Sequence, residues 1–113
     1  MADKLSLAFN ALADPTRRDM LTRLASGEAT VTALADRYDV SIQAISKHLK
    51  VLETAGLVSR TKDAQRRPVH IEPEVLDMMA GWIRRYQREA EARYSRLDEV
   101  LAEMNERAEG ETA

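Results

Sequence analysis

Between Val31 and Val58 the chain alternates helix signals and stop signals at close spacing. Thr30 precedes an apolar-periodic stretch, Val31-Thr32-Ala33-Leu34-Ala35-Asp36-Arg37-Tyr38, long enough for a short helix with Thr30 as its cap. Asp39-Val40 breaks the pattern, and Ser41 offers a second cap. Ile42, Ile45, Leu49 and Leu52 then recur at intervals of three and four, the buried stripe of a second helix. Gly56 stops it, and Leu57-Val58-Ser59-Arg60-Thr61 alternates as a strand does. Two short helices joined by a tight turn make a helix-turn-helix, whose second helix is built to lie in the DNA major groove.

The flanking residues complete a small fold. Leu5, Leu7, Ala8, Ala11 and Leu12 predict a first helix. Asp14-Pro15 restarts the chain, the Asp as cap and the Pro in the first turn, where its missing N–H has no helical partner to lose. Met20, Leu21 and Leu24 continue at helical spacing up to a stop at Gly27. After the strand, Lys62-Asp63-Ala64-Gln65-Arg66-Arg67 is a polar turn and Pro68-Val69-His70-Ile71 a returning strand, so the two strands form a hairpin, or wing. Glu72-Pro73-Glu74 opens a long last helix. The expected fold is mainly α with a small β-hairpin, a dimeric winged helix-turn-helix in the order α1-α2-α3-α4-β-β-α5. It is expected as one domain over 1–106, with the helix-turn-helix at about 30–55, the wing at about 57–71 and a dimerisation helix at about 73–106; 107–113 reads as a flexible tail.

A net charge of −2 looks wrong for a DNA binder, but its distribution does not. Residues 41–70 carry six basic and two acidic side chains, whereas 72–113 carry six basic and eleven acidic. A local basic patch is what phosphates require, and it coexists with an acidic whole. With no cysteine there are no disulfides and no thiolate metal sites. No apolar run approaches the roughly 20 residues that cross a bilayer, and the N-terminus lacks a secretory pattern, which suits a cytoplasmic protein without a membrane partner.

The side chains expected to meet DNA lie off the apolar stripe. Gln43 suits adenine, Ala44 a thymine methyl, and Ser46 either a donor or an acceptor on a base. Ser41 is placed for a base or, at the helix start, a phosphate. Lys47 and Lys50 suit phosphates or guanine, and His48 sits where it reaches the backbone. In the wing, Arg60, Lys62, Arg66 and Arg67 are expected to track phosphates or enter the minor groove. The plainer alternative is a solvated helix face and a charged hairpin that resists edge-to-edge aggregation.

Three stretches resemble the arsenical-resistance repressor (ArsR) family: Phe9-Asn10-Ala11-Leu12-Ala13-Asp14-Pro15-Thr16-Arg17-Arg18, then Val31-Thr32-Ala33-Leu34-Ala35, then Ile45-Ser46-Lys47-His48-Leu49-Lys50-Val51-Leu52-Glu53-Thr54-Ala55-Gly56-Leu57-Val58. The resemblance spans about residues 5–86 and implies a dimeric repressor on an inverted-repeat operator, often its own promoter. Many members release DNA on binding a metal. The cysteine positions of one such site correspond to Thr30 and Thr32 here, and threonine supplies no thiolate. A second kind of site uses Asp and His on the last helix, which here has Asp77 and no His, while His70 stands alone before it as a strand-edge or interface residue. No metal and no cofactor is expected. Trp82 and Tyr86 resemble a metal-independent branch, although Ala90 stands where that branch often has a further aromatic.

Val75, Met79, Trp82, Ile83, Tyr86, Ala90, Leu97, Val100, Leu101 and Met104 recur mostly at intervals of three and four, a seam longer than one small core needs. The expected dimer interface comprises Met79, Trp82, Ile83, Tyr86, Ala90 and Leu97, joined by Leu5 and Leu12 from the first helix. Gly81 within the seam fits close helix approach or simple tolerance. The leading reading is a homodimeric repressor of duplex DNA with a palindromic operator. The alternatives are a sensor whose inducer enters near Met78, Trp82 and Tyr86, and a winged-helix protein-interaction module. No nucleophile–base pair or phosphate-cradling loop points to an enzyme.

Overall fold

A computed structural model describes residues 3–61 and 67–112. The elements run α1 (Lys4–Ala11), α2 (Pro15–Ala25), α3 (Val31–Tyr38), α4 (Ile42–Thr54), β1 (Val58–Arg60), β2 (Val69–Ile71) and α5 (Pro73–Thr112). This is the order expected from the sequence.

Each of the first four helices starts on a side-chain cap. The backbone N–H of Ser6 donates to Asp3 at 2.7 Å, that of Arg17 to Asp14 at 3.0 Å, that of Ala33 to Thr30 at 3.1 Å and that of Ala44 to Ser41 at 3.1 Å. Each bond satisfies an amide that the first helical turn leaves without a partner. The α1–α2 corner is closed from the other side. The Arg17 guanidinium donates to the carbonyls of Ala11 and Asn10, and that of Arg18 to Leu12 and Ala13. These carbonyls lie around the end of α1, where helical amide partners run out; that of Asn10 also accepts the Ala13 N–H at 3.2 Å.

The strands are antiparallel, with Val58 opposite Ile71, Ser59 opposite His70 and Arg60 opposite Val69. They are shorter than the sequence predicted, three residues each. A third segment joins them: Ala29 exchanges both backbone hydrogen bonds with Val69, at 3.1 and 2.7 Å. A single bridging residue has no period, so its sequence signal is nil.

Met20, Ile45, Leu49, Leu52, Leu57 and Val69 are the largest side chains with essentially no solvent exposure, and Ala8, Ala11 and Met79 are buried among the same cluster. The small alanines of α1 let that helix approach α4 closely. Gly56 sits at φ +77°, and a Cβ there would lie 3.0 Å from Val75 Cγ2, so the end of α4 needs glycine for both conformation and space.

Three expectations change. Ile42 is not part of the buried stripe: it is 50% exposed, because it occupies the first position of α4, beyond the reach of the core. Met79, expected on the dimer seam, is 6% exposed and belongs to the core of its own chain, against which Leu5 and Leu12 also pack. The last helix continues beyond about Glu106 to Thr112, since Arg107, Ala108 and Glu109 favour helix and Gly110 alone does not stop it. The chain divides into two compact units, one ending at Met79 and the other beginning at Ala80. Among the described residues no helix is long and apolar enough to cross a membrane.

Candidate nucleic-acid interface

α4 is two-sided. Ile45, Leu49 and Leu52 face the core, while Gln43, Lys47, Lys50 and Thr54 form an exposed row at intervals of four, three and four. That row contains no acid, and Ser41 lies exposed at its head. Ala44, Ser46 and His48 are half-buried along the flanks. Ser41 combines exposure with the cap bond to Ala44, which uses its oxygen as acceptor and leaves the hydroxyl proton able to donate.

The turn into α4 is set by Asp39, whose φ of 53° is the left-handed conformation that Asp tolerates better than most residues. It turns the chain within two residues, and α3 packs directly against α4.

Two ties hold α4 against its neighbours. On one flank, His48 Nδ1 lies 3.5 Å from Arg17 Nη1 and 3.9 Å from Asp14 Oδ2, which links α4 to the start of α2. The backbone N–H of Arg17 above all holds the Asp14 carboxyl below the usual carboxylate range. On the other flank, Arg60 Nε donates to Glu53 Oε1 across the Gly56 turn, which links α4 to the wing. Arg60, expected on phosphates, therefore already has a carboxylate partner within the chain. Arg67 is exposed, with φ 42°. Lys62 and Arg66 lie outside the described residues.

His70 is not alone. Its Nε2 is 2.8 Å from Ser59 Oγ and 3.3 Å from Glu72 Oε1, its Nδ1 is 3.3 Å from Thr61 Oγ1, and Ser59 donates to Glu72. The group braces the base of the wing. Behind α4, Tyr38 of α3 donates to Asp19 Oδ2 of α2 at 2.6 Å, and Arg23 Nε donates to both Asp19 Oδ2 and the Tyr38 hydroxyl at 3.0 Å. The Tyr38 hydroxyl, then Arg23, hold the Asp19 carboxyl below its ordinary value, while burial and then the Asp19 bond push the Tyr38 phenol up. This network fixes α3 on α2, and so fixes the platform on which α4 sits.

A helix-turn-helix domain family matches residues 12–61. The chain is 40% identical over 90 residues to the HTH-type transcriptional regulator Rv2034 of Mycobacterium tuberculosis, an alignment covering 80% of this chain and 84% of the relative. It is 32% identical over 75 residues to the transcriptional repressor SdpR of Bacillus subtilis, covering 66% of this chain and 83% of that one. Among solved structures, the ArsR family transcriptional regulator RHA00566 superposes with a TM-score of 0.73 at 37% identity, over 79% of this chain and 98% of its own. The chain belongs to the ArsR family of winged helix-turn-helix regulators. The family regulates transcription and is not enzymatic. A homodimeric winged helix-turn-helix DNA-binding domain from Mycobacterium bovis, described as a possible ArsR-family regulator, is also similar, with a TM-score of 0.62 at 27% identity over 77% of this regulator and 81% of that chain.

Thr30 and Thr32, the positions that the resemblance likens to the family's thiolate ligands, offer hydroxyls and no thiolate. Thr30 uses its hydroxyl as the cap of α3, and Thr32 is exposed on its first turn. Among the described residues no three His, Cys, Asp or Glu side chains stand together where they could hold a cation. An open groove between α2 and α3 is lined by Asp19, Arg23, Gly27, Ala29, Leu34 and Arg37. In the second unit, Trp82 and Tyr86 contact each other with ring centroids 4.6 Å apart and planes at 54°.

Sequence reasoning missed Glu53, Arg17 and Ile42 as parts of this surface. Glu53 and Arg60 have opposite charge and flank the Gly56 turn, a signal that was present. The reach of Arg17 to α4 is a tertiary contact with no trace in local spacing.

Proposed function

We propose that this regulator is a cytoplasmic homodimeric repressor, independent of metal, that binds an inverted-repeat operator through α4 in the major groove and the wing along the backbone. The observation that carries the reading is the acid-free exposed row of Gln43, Lys47 and Lys50 on a helix whose opposite side is locked in the core. Amide and amine side chains on the first turns of such a helix match base edges and phosphates. The name of SdpR as a repressor supports the direction of control. The absence of thiolate ligands at Thr30 and Thr32 supports independence from that class of metal signal.

Dimerisation is supported by α5. Ile83, Ala90, Tyr94, Leu97, Leu101 and Met104 follow a three–four spacing broken only by Gln87, and the large apolar residues from Trp82 to Met104 are each 40–69% exposed. A seam of this kind is the coiled-coil pattern and calls for a second helix. The homodimeric state of the similar M. bovis domain points the same way. Pairing would present two α4 helices to half-sites about 34 Å apart on one face of the duplex.

The test is fluorescence anisotropy on the DNA upstream of the regulator's own gene, with random duplex as control and a salt series. Specific, salt-sensitive binding by two protomers supports the reading; equal and weak binding to both duplexes rejects that promoter as the target. Sedimentation of Leu97→Glu tests the dimer, which should fall to a monomer and lose operator affinity. A variant that remains dimeric would exclude this seam.

A further inference from the structure

We propose that Ile42 is a specificity-determining residue that reads the 5-methyl group of a thymine in the operator half-site. The inference rests on the reading of α4 as the groove helix and adds a residue to it.

Ile42 is the first residue of α4 and is 50% exposed, although Ile45, Leu49 and Leu52 of the same helix are buried. Half of its surface stays in water. Its exposed or half-buried neighbours in sequence and on the next turn are Ser41, Gln43 and Ser46, all polar, while Ile45 turns into the core. Val40, two residues earlier, is also 46% exposed, but an apolar side chain on α4 whose adjacent residues Ser41 and Gln43 are polar suits a base edge better than an apolar protein partner. Helical spacing fixes which edge of the surface it occupies. Ile42, Ser46 and Glu53 share one stripe, at intervals of four and seven, and Glu53 is tied to Arg60 of β1. Ile42 therefore lies on the wing side of the row Gln43–Lys47–Lys50, at the end of α4 that enters the groove. The group a base edge offers an aliphatic side chain in the major groove is the thymine methyl. Because Gln43 is adjacent in sequence, the thymine read by Ile42 lies beside the base pair read by Gln43.

The experiment starts from selection of a random duplex library by the full-length regulator. Each thymine of the enriched half-site is then replaced singly by deoxyuridine, which deletes the methyl and leaves pairing intact. Hiding one methyl-sized apolar group from water corresponds to about a fourfold change in affinity. The wild-type regulator should lose about fourfold per half-site at one thymine. Ile42→Ser should bind thymine and uracil duplexes within twofold of each other, with Ile42→Ala as a second variant of higher helix propensity and circular dichroism as the check on folding. Gln43→Ala should keep the uracil effect. If the wild type enriches a sequence whose thymines all tolerate uracil, or if Ile42→Ser retains the full effect, the assignment to Ile42 is overturned while groove reading stands. If the wild type enriches no sequence, groove reading itself fails, and the assignment with it.

Discussion

Arg60 of β1 and Glu53 of α4 meet at 2.5 Å, Nε to Oε1, across the Gly56 turn, so that wing and reading helix share an ion pair. The side chains are 29% and 34% exposed, which places the pair between a surface and a buried one. Its contribution to stability is therefore modest, about 1 kcal/mol or less. Its consequence for DNA binding is positional. Arg60→Met should lower specific affinity a few-fold while leaving the salt slope nearly unchanged, and Glu53→Gln should do the same. If Arg60→Met instead lowers the slope by about one, as loss of a phosphate contact does, Arg60 leaves Glu53 when DNA binds.

Gln43 and Lys47 are neighbours on the exposed row with different expected duties. Gln43→Ala should cost about 1–3 kcal/mol on the preferred duplex and relax the choice of base at one position. Lys47→Ala should weaken all duplexes similarly and reduce the salt slope by about one. Anisotropy titrations on preferred and scrambled duplexes at several salt concentrations separate the two. Identical behaviour of the variants would reject this division.

The Asp19–Tyr38–Arg23 network gives a pH signature. The folded-state value of Asp19 is lowered, first by the Tyr38 hydroxyl and then by Arg23. The stabilisation is thus present in full above the ordinary carboxylate value of about 4 and is lost as pH falls through the lowered one. Thermal melts of wild type and Asp19→Asn should differ by a constant amount above about pH 5 and converge in acid. A difference that does not change between neutral and strongly acid pH would show that ionisation of Asp19 is not what stabilises the α2–α3 contact. Tyr38 has the opposite sense: its raised value favours the fold below the ordinary phenol range, and that contribution is lost as pH rises through the raised value.

Gly56→Ala should destabilise the fold by about 1–2 kcal/mol from the left-handed backbone alone, with a further cost from the methyl against Val75. Denaturant melts measure it directly. Gly56→Ala combined with Val75→Ala should recover the steric part and leave the backbone part. Failure of the pair to recover anything would mean that crowding against Val75 contributes nothing.

The caps at Asp14, Thr30 and Ser41, the helix periods between them and the stop at Gly56 are local: each depends on residues within one or two turns, so they were legible in the sequence. The polar row of α4 was legible for the same reason, since a helical period that assigns Ile45, Leu49 and Leu52 to one side assigns Gln43, Lys47 and Lys50 to the other. Periodicity does not state where a helix meets the core and where it runs past it. Ile42 and Met79 show this from both ends. By spacing Ile42 belongs to a buried stripe and Met79 to an intermolecular seam, yet packing leaves the first half in water and encloses the second. Arg60–Glu53, Arg17–His48 and the Ala29–Val69 bridge likewise join residues whose proximity follows from how helices and hairpin pack. The sequence by itself determined the elements, their order and the chemistry displayed on the reading helix, because those depend on short-range backbone preferences and one-dimensional periods. Only the tertiary structure decided which side chains remain available to DNA, because availability depends on the neighbours that burial and pairing bring from elsewhere in the chain.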